Sequence, residues 1–179
     1  RDDWGRALLA LALESGKPLV IDADALTLMA DDDRIGQGNW VLTPHPGEAG
    51  RLLGGSAKDI QQDRFAALET LTARYGGSVL LKGLGTLIQG EDRQGERSCA
   101  LIRDGNPGMA SGGMGDVLTG VIAALRAQGL TGYDAARLGA MIHARAADAC
   151  AARCGPRGML ATDLLPYLRA ELNETCLAE

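Results

Sequence analysis

Apolar positions along the 179-residue chain follow two periods that alternate from segment to segment. Over residues 4–14 they recur at helical spacing, and Gly16 closes the segment. Leu19, Val20 and Ile21 then form a short unbroken run, the pattern of a strand buried on both faces. The run ends in Asp22-Ala23-Asp24-Ala25-Leu26, where Asp24 is expected to cap a short helix. Residues 31–39 are polar and predict a loop. A second buried strand over 40–43 ends in Pro44-His45-Pro46-Gly47-Glu48, and Glu48 starts a helix through Leu52 and Leu53. Residues 56–75 carry Ile60, Phe65, Leu68 and Leu71 between charges, which predicts one amphipathic helix without chemistry of its own, ended by Gly76-Gly77. A third buried strand over 78–81 leads through Lys82-Gly83-Leu84-Gly85-Thr86 into a strand over 87–89. After a charged turn at 91–97, residues 98–103 alternate as a half-buried strand.

Residues 106–116 show no apolar period at all. Immediately afterwards Val117, Leu118, Val121, Ile122 and Leu125 return to helical spacing, with Gly129 as the stop. An Ala-rich helix over 133–152 is broken by Gly155-Pro156-Arg157-Gly158, and a last helix runs from Thr162-Asp163 to about residue 176, with Pro166 in its first turn. Short apolar strands alternating with helices predict an α/β fold, a mostly parallel sheet covered on both faces. The strands around Leu87 and Cys99 are expected to add antiparallel edges. The length is that of about one domain, and neither a repeat nor an interdomain linker is visible.

Composition changes this picture little. Hydrophobic residues at 46% and charged residues at 23% are those of an ordinary soluble protein, and with aromatics at 3% the core must rest on Leu, Ala, Val and Ile. A net charge of −5 argues against nucleic acid or an anionic membrane as partner. No apolar run approaches the ~20 residues of a membrane span, and no signal peptide is visible. Cys99, Cys150, Cys154 and Cys176 lack the spacing of a zinc site or a disulfide framework. Cys150 and Cys154 share a helical face with His143, where core packing is the expected role and no structural metal is expected. Reduced thiols and a cytoplasmic location follow.

The aperiodic stretch carries the chemistry. Asn-Pro-Gly-Met-Ala-Ser-Gly-Gly-Met-Gly-Asp spans 106–116, and its end, Gly112, Gly113, Met114 and Gly115, feeds a helix N-terminus. Backbone N–H groups and the positive end of a helix dipole gather there, an anion hole suited to phosphate. Asp116 in the first turn is either a cap or, beside such a hole, a general base for a substrate hydroxyl. His45 is mounted between two prolines after a strand, a rigid setting for a functional side chain. Lys82, Gly83, Leu84, Gly85 and Thr86 offer N–H groups and one cation, though an ordinary tight hairpin has the same pattern. The loop is not a Walker loop, since neither its length nor its end fits.

Gly-Gly-Met-Gly-Asp resembles the Gly-x-Gly-Asp signature of ribokinase-like kinases, in which the Asp is the base. The longer string Gly-Asn-Pro-Gly-Met-Ala-Ser-Gly-Gly-Met-Gly-Asp-Val-Leu-Thr-Gly, with Asp-Ala-Asp-Ala-Leu and Pro-His-Pro-Gly-Glu, resembles the ADP- or ATP-dependent NAD(P)H-hydrate dehydratases. That resemblance implies a ribokinase-like three-layer αβα sandwich spanning residues 1–179 as one partial domain. The family's opening strands would lie before Arg1, which makes a fragment the expectation.

It further implies roles for single residues. His45 and Asp116 would contact the hydrated nicotinamide, with Asp116 catalytic. Lys82 to Thr86 and Gly115 would bind the adenine nucleotide (ADP, with AMP as product, or ATP). Glu48 stands where the kinases have the Glu of Asn-x-x-Glu, which serves a magnesium and phosphate network, and Asp24 would sit at its edge. Mg²⁺ and ADP or ATP are thus the implied cofactor and co-substrate, and a homo-oligomer, up to a tetramer, the implied assembly. Two alternatives stay open: a sugar or vitamin kinase of the same fold, against which His45 in place of Asn speaks, and a nucleotide-sensing module without turnover, against which Asp116 speaks.

Overall fold

The computed structural model describes residues 3–31 and 38–176. Helix α1 (Asp3–Glu14) leads to strand β1 (Leu19–Ile21), helix α2 (Ala23–Ala30) and strand β2 (Trp40–Leu42). Most of the loop expected at 31–39, residues 32–37, lies outside the described residues. Helices α3 (Pro46–Leu52), α4 (Ala57–Gln62) and α5 (Arg64–Tyr75) precede strands β3 (Ser78–Leu81), β4 (Thr86–Glu91) and β5 (Arg97–Ile102). A 3-10 turn (Pro107–Ala110), helix α6 (Met114–Ala127), helix α7 (Gly132–Cys154), a second 3-10 turn (Ala161–Leu164) and helix α8 (Leu165–Cys176) complete the order.

The sheet runs β1-β2-β3-β4-β5. The first three strands are parallel, in register Leu19 to Trp40 and Val41 to Ser78, while β4 and β5 join as antiparallel hairpin partners. The mostly parallel sheet with antiparallel strands at one side is therefore present as expected. Val41, Leu80 and Ile88 face α6 and α7, and Leu42, Val79, Leu81 and Leu87 face α2, α3 and α5, so the sheet is the middle of three layers. Both faces of β2 and β3 are buried, which explains their unbroken apolar runs. Each such side chain contributes about 1.5–3 kcal/mol on burial. The Ala content of α7 permits close packing: a Cβ on Gly139 would come within 2.8 Å of Ile122.

Two boundaries differ from expectation. The helix predicted over 56–75 is two helices, because the Asp63 side chain accepts the N–H of Ala66 and starts a new helix there. Phe65, expected on the apolar face, is exposed. The last segment opens as a 3-10 turn and becomes α-helical only from Leu165. Helix α1 forms as expected, yet none of its residues is buried: Leu9 and Leu13 touch the core while Trp4, Leu8 and Leu11 face outward.

Candidate active site

Parallel strands β1, β2 and β3 deliver their C-terminal ends to one edge of the sheet, where open α/β sheets place ligands. Asp22 follows β1, Pro44 and His45 follow β2 after Thr43, and Lys82 follows β3. Backbone bonds continue past the strands, from Thr43 N to Ile21 O (3.1 Å) and from Lys82 N to Pro44 O (2.9 Å), so these three exits are held in fixed relation.

Asp22 is the joint of the site. Its Oδ1 accepts from Lys82 Nζ at 2.8 Å, and its Oδ2 accepts from Thr119 Oγ1 at 3.0 Å, one turn into α6. Burial pushes the Asp22 carboxyl up, but Lys82, the Ala23 N–H and Thr119 together outweigh it and hold it below the usual carboxylate value. Ala23 carries a φ of 49°, the one left-handed non-glycine residue among those described. Such strain costs about 1 kcal/mol or more and here accompanies the turn that sends Asp22 towards Lys82 rather than into a helix cap.

Asp22, not Asp24, therefore occupies the N-cap position of α2, and its side chain makes no cap bond. Asp24 lies one step further, exposed, along a groove between α1 and β1. The sequence signal for Asp22 was its position directly after a buried strand, which Asp24 does not share.

His45 has a second role that its mounting between prolines did not reveal. It is the N-cap of α3: Nδ1 accepts the N–H groups of Gly47 (2.9 Å) and Glu48 (3.2 Å), while Glu48 Oε2 accepts the His45 N–H (2.8 Å). This reciprocal capping box fixes the tautomer, with Nδ1 bare and the proton on Nε2. Nε2 lies 3.4 Å from Glu48 Oε1, and over half of the side chain stays exposed to a ligand. Glu48 also approaches Lys82 Nζ, at 3.9 Å, so Lys82 stands between two carboxylates.

The glycine loop meets this cluster from the other side. Gly113, with a φ of 85°, is the N-cap of α6, and Met114, Gly115 and Asp116 form its first turn, whose N–H groups have no partner within the helix. A Cβ on Gly115 would lie 3.4 Å from Asp22 Oδ2 and 3.5 Å from Lys82 Nζ, so the first turn of α6 passes beside the Asp22–Lys82 pair. Gly112 faces open space, the Met114 side chain is buried, and Asp116 is exposed. The entrance of the loop is tied to α7: Asp148 accepts the Gly105 N–H (2.8 Å) and Asn106 Nδ2 (2.9 Å), and Asn106 Oδ1 caps the 3-10 turn at Gly108 (3.0 Å). Behind the exit, His143 is buried as expected and the Met114 backbone lies against it.

Lys82 and Thr86 bracket a hairpin tip with Leu84 almost fully exposed. Arg64, in a helix that held no visible chemistry, binds this tip from below. Among the described residues no group of three or more His, Cys, Asp or Glu side chains is gathered where it could hold a metal, and Cys150, buried, and Cys154, exposed, are free cysteines. The side chain of Cys176 lies outside the described residues. No helix is long and apolar enough to cross a membrane among those described.

A family model described as NAD(P)H-hydrate dehydratase (Carb_kinase) matches residues 1–170. The chain is 49% identical over 173 residues to a bifunctional NAD(P)H-hydrate repair enzyme of Coxiella burnetii, covering 97% of this chain and 34% of that one. Among solved structures it is similar to the ADP/ATP-dependent NAD(P)H-hydrate dehydratase of Bacillus subtilis co-crystallised with ATP and Mg²⁺, with a TM-score of 0.81 at 27% identity over 94% of this chain and 59% of that one. A ribokinase-like superfamily protein of Enterococcus faecalis gives a TM-score of 0.80 at 26% identity, over 97% and 60%. The chain thus spans about a third of the length of its bifunctional relatives and about three fifths of these two structures. With a ribokinase-like three-layer fold and a glycine loop set against the Asp22–Lys82 pair, the chain belongs to the NAD(P)H-hydrate dehydratase family.

Proposed function

We propose that these residues form the later part of one dehydratase domain that restores NADH or NADPH from its (S)-hydrate at the expense of ADP or ATP. The observation that carries this reading is the placement of Gly115 beside the Asp22–Lys82 pair at the carboxyl edge of the sheet, with Asp116 next in the same turn. Asp116 takes the proton from the hydroxyl on the hydrated ring. The freed oxygen attacks the terminal phosphorus, and the bond to the bridging oxygen breaks, releasing AMP from ADP or ADP from ATP. Phosphate then leaves with the electrons of the carbon–oxygen bond, the neighbouring ring carbon gives up a proton, and the double bond is restored. Backbone N–H groups from Gly112 to Gly115 hold charge on the group in flight.

Lys82 and the loop to Thr86 take the nucleotide, and His45 Nε2–H meets the hydrated nicotinamide. Mg²⁺ arriving with the nucleotide needs only one or two carboxylates beside the phosphates. Glu48 fits that need, since its Oε1 lies 3.4 Å from His45 Nε2 and its Oε2 stands 3.9 Å from Lys82 Nζ. Such an ion offsets phosphate charge. A small-molecule repair enzyme of this kind works in the cytoplasm, as a homo-oligomer, without nucleic acid or membrane.

The test uses the full natural chain with hydrated NADPH and ADP, and follows absorbance of the reduced nicotinamide. Absorbance returns with equimolar phosphate, and Asp116→Asn slows it on the order of 10²–10⁴-fold while ADP still binds. A stable phosphorylated sugar in place of NADPH would move the reading to a kinase, and nucleotide binding without product to a sensor.

A further inference from the structure

The hairpin tip between β3 and β4 is built around a guanidinium. Arg64 Nη1 donates to the carbonyls of Leu84 (2.7 Å) and Gly85 (2.8 Å), and Nη2 to those of Leu81 (3.1 Å) and Lys82 (3.5 Å). One side chain from the start of α5 thus gathers four carbonyls of a single five-residue turn. Gly83 makes room for it, because a Cβ there would lie 2.9 Å from Arg64 Nη2, and both Gly83 (φ 153°) and Gly85 (φ 72°) adopt backbone conformations that favour glycine.

The consequence for the loop is polar. Its carbonyls are drawn to one side by a cation, while the N–H groups of Gly83, Leu84 and Gly85 make no hydrogen bond among the described residues. A row of unpaired N–H groups above a buried-side guanidinium is receptive to an electron-rich ligand. Arg64 also stays where it is at a cost to the fold: its Nε is buried with no partner.

We infer that Arg64 is a positioning residue that sets the affinity of the loop 82–86 for an adenine nucleotide, an inference that rests on the reading of that loop given above. Arg64 acts through the loop and does not touch the reacting atoms. Without the fork the glycine-rich tip samples many shapes, and apparent affinity falls in proportion to the fraction that keeps the binding shape. Lysine cannot replace it, since a single ammonium does not span four carbonyls in a fixed plane.

The experiment measures ADP affinity by calorimetry, together with kcat and the KM for hydrated NADPH, on the full natural chain with Arg64→Lys, Arg64→Gln and Leu84→Glu. Arg64 begins a helix, where Lys and Gln are both good formers, so both variants are expected to fold. Leu84 is 98% exposed, so its change tests the loop without touching the core. Both Arg64 variants are expected to raise the Kd for ADP about tenfold, as a fall of the competent fraction to about one tenth would, with kcat and hydrate KM within about twofold. Leu84→Glu is expected to weaken ADP as well. ADP affinity unchanged in the Arg64 variants but weakened by Leu84→Glu overturns the role of Arg64 and leaves the loop reading standing. No change in any of the three removes the loop from the nucleotide site, and the inference with it. A parallel loss of ADP affinity, hydrate affinity and kcat in the Arg64 variants assigns the residue to general structure and also overturns the inference.

Discussion

Asp22 Oδ1 lies 2.8 Å from Lys82 Nζ, joining the ends of two strands that are sixty residues apart. The pair closes β1 and β3 at the site edge, while Thr119 brings α6 to the other oxygen of the same carboxylate. One side chain therefore sets the relation of the glycine loop to the loop over residues 82–86. It is only slightly exposed, so its bonds are worth more than those of a surface pair.

Replacing Asp22 by Asn is expected to cost about 1–3 kcal/mol of stability at neutral pH, read by urea unfolding. The folded carboxyl lies below the usual value of 3.8, so its contribution is complete above that pH and fades as pH falls through the lower folded value. The deficit of Asp22→Asn should therefore narrow in that acid range. A deficit that stays constant to the lowest pH would show that the carboxylate charge contributes nothing.

His143 gives the opposite residue type the same sign. Burial pushes its pKa from 6.5 to about 4, the Met114 backbone opposing this only in part. Between those values the unfolded chain binds a proton that the folded chain does not, so stability falls as pH drops from about 6.5 to about 4 and then levels for this group. The full span corresponds to roughly 3 kcal/mol. His143→Gln should flatten the slope of stability against pH in that window, and an unchanged slope would place the titration elsewhere.

Much of this architecture was legible because β1, β2 and β3 are short apolar runs, the pattern of strands covered by helices, although only β2 and β3 are buried throughout and Leu19 and Val20 of β1 are half-buried. The glycine loop was legible for a related reason: Gly113 needs a positive φ, which glycine adopts without strain. What could not be read is what depends on long-range pairing. Asp22 and Asp24 are two carboxylates two residues apart, and only the arrival of Lys82 and Thr119 distinguishes them. Arg64 reads as one more charge on an amphipathic helix until the hairpin folds over it. The break at Asp63 was in principle visible, since an Asp three residues before Ala66 is a cap signal, but continuous apolar spacing across 60–71 concealed it.

The cap that His45 provides and the ligand role proposed for it can be separated by choice of substitute. His45→Ala removes both the cap and the Nε2 donor, and the lost cap costs about 1 kcal/mol. His45→Asn keeps an oxygen able to cap α3 but withdraws the ring from the ligand side. Both variants should raise the KM for the hydrated cofactor, while only His45→Ala should lower the melting temperature. A KM that rises in His45→Ala alone would mean that His45 serves the helix and not the substrate.

The last prediction concerns the tie between α7 and the entrance of the glycine loop. Asp148 accepts from the Gly105 N–H and from Asn106 Nδ2, and Asn106 Oδ1 in turn caps the 3-10 turn at Gly108. Asp148→Asn alone sets an amide N–H₂ against another donor. Asn106 cannot turn to meet it without giving up Gly108, so one bond is lost whichever way it lies. Asn106→Asp alone sets two carboxylates against each other. In the double variant, however, the new amide at 148 accepts from Gly105 and donates to the new carboxylate at 106, whose second oxygen still caps Gly108. Each single change is expected to cost about 1–3 kcal/mol and the pair to recover most of it, a coupling well above the few tenths seen between independent sites. Turnover should follow the same pattern, because the loop that Asn106 opens is the one that ends at Gly115 and Asp116. Unfolding and turnover measured across the four proteins decide the matter. Additive losses would show that the two side chains act separately and that α7 does not hold the loop through this tie.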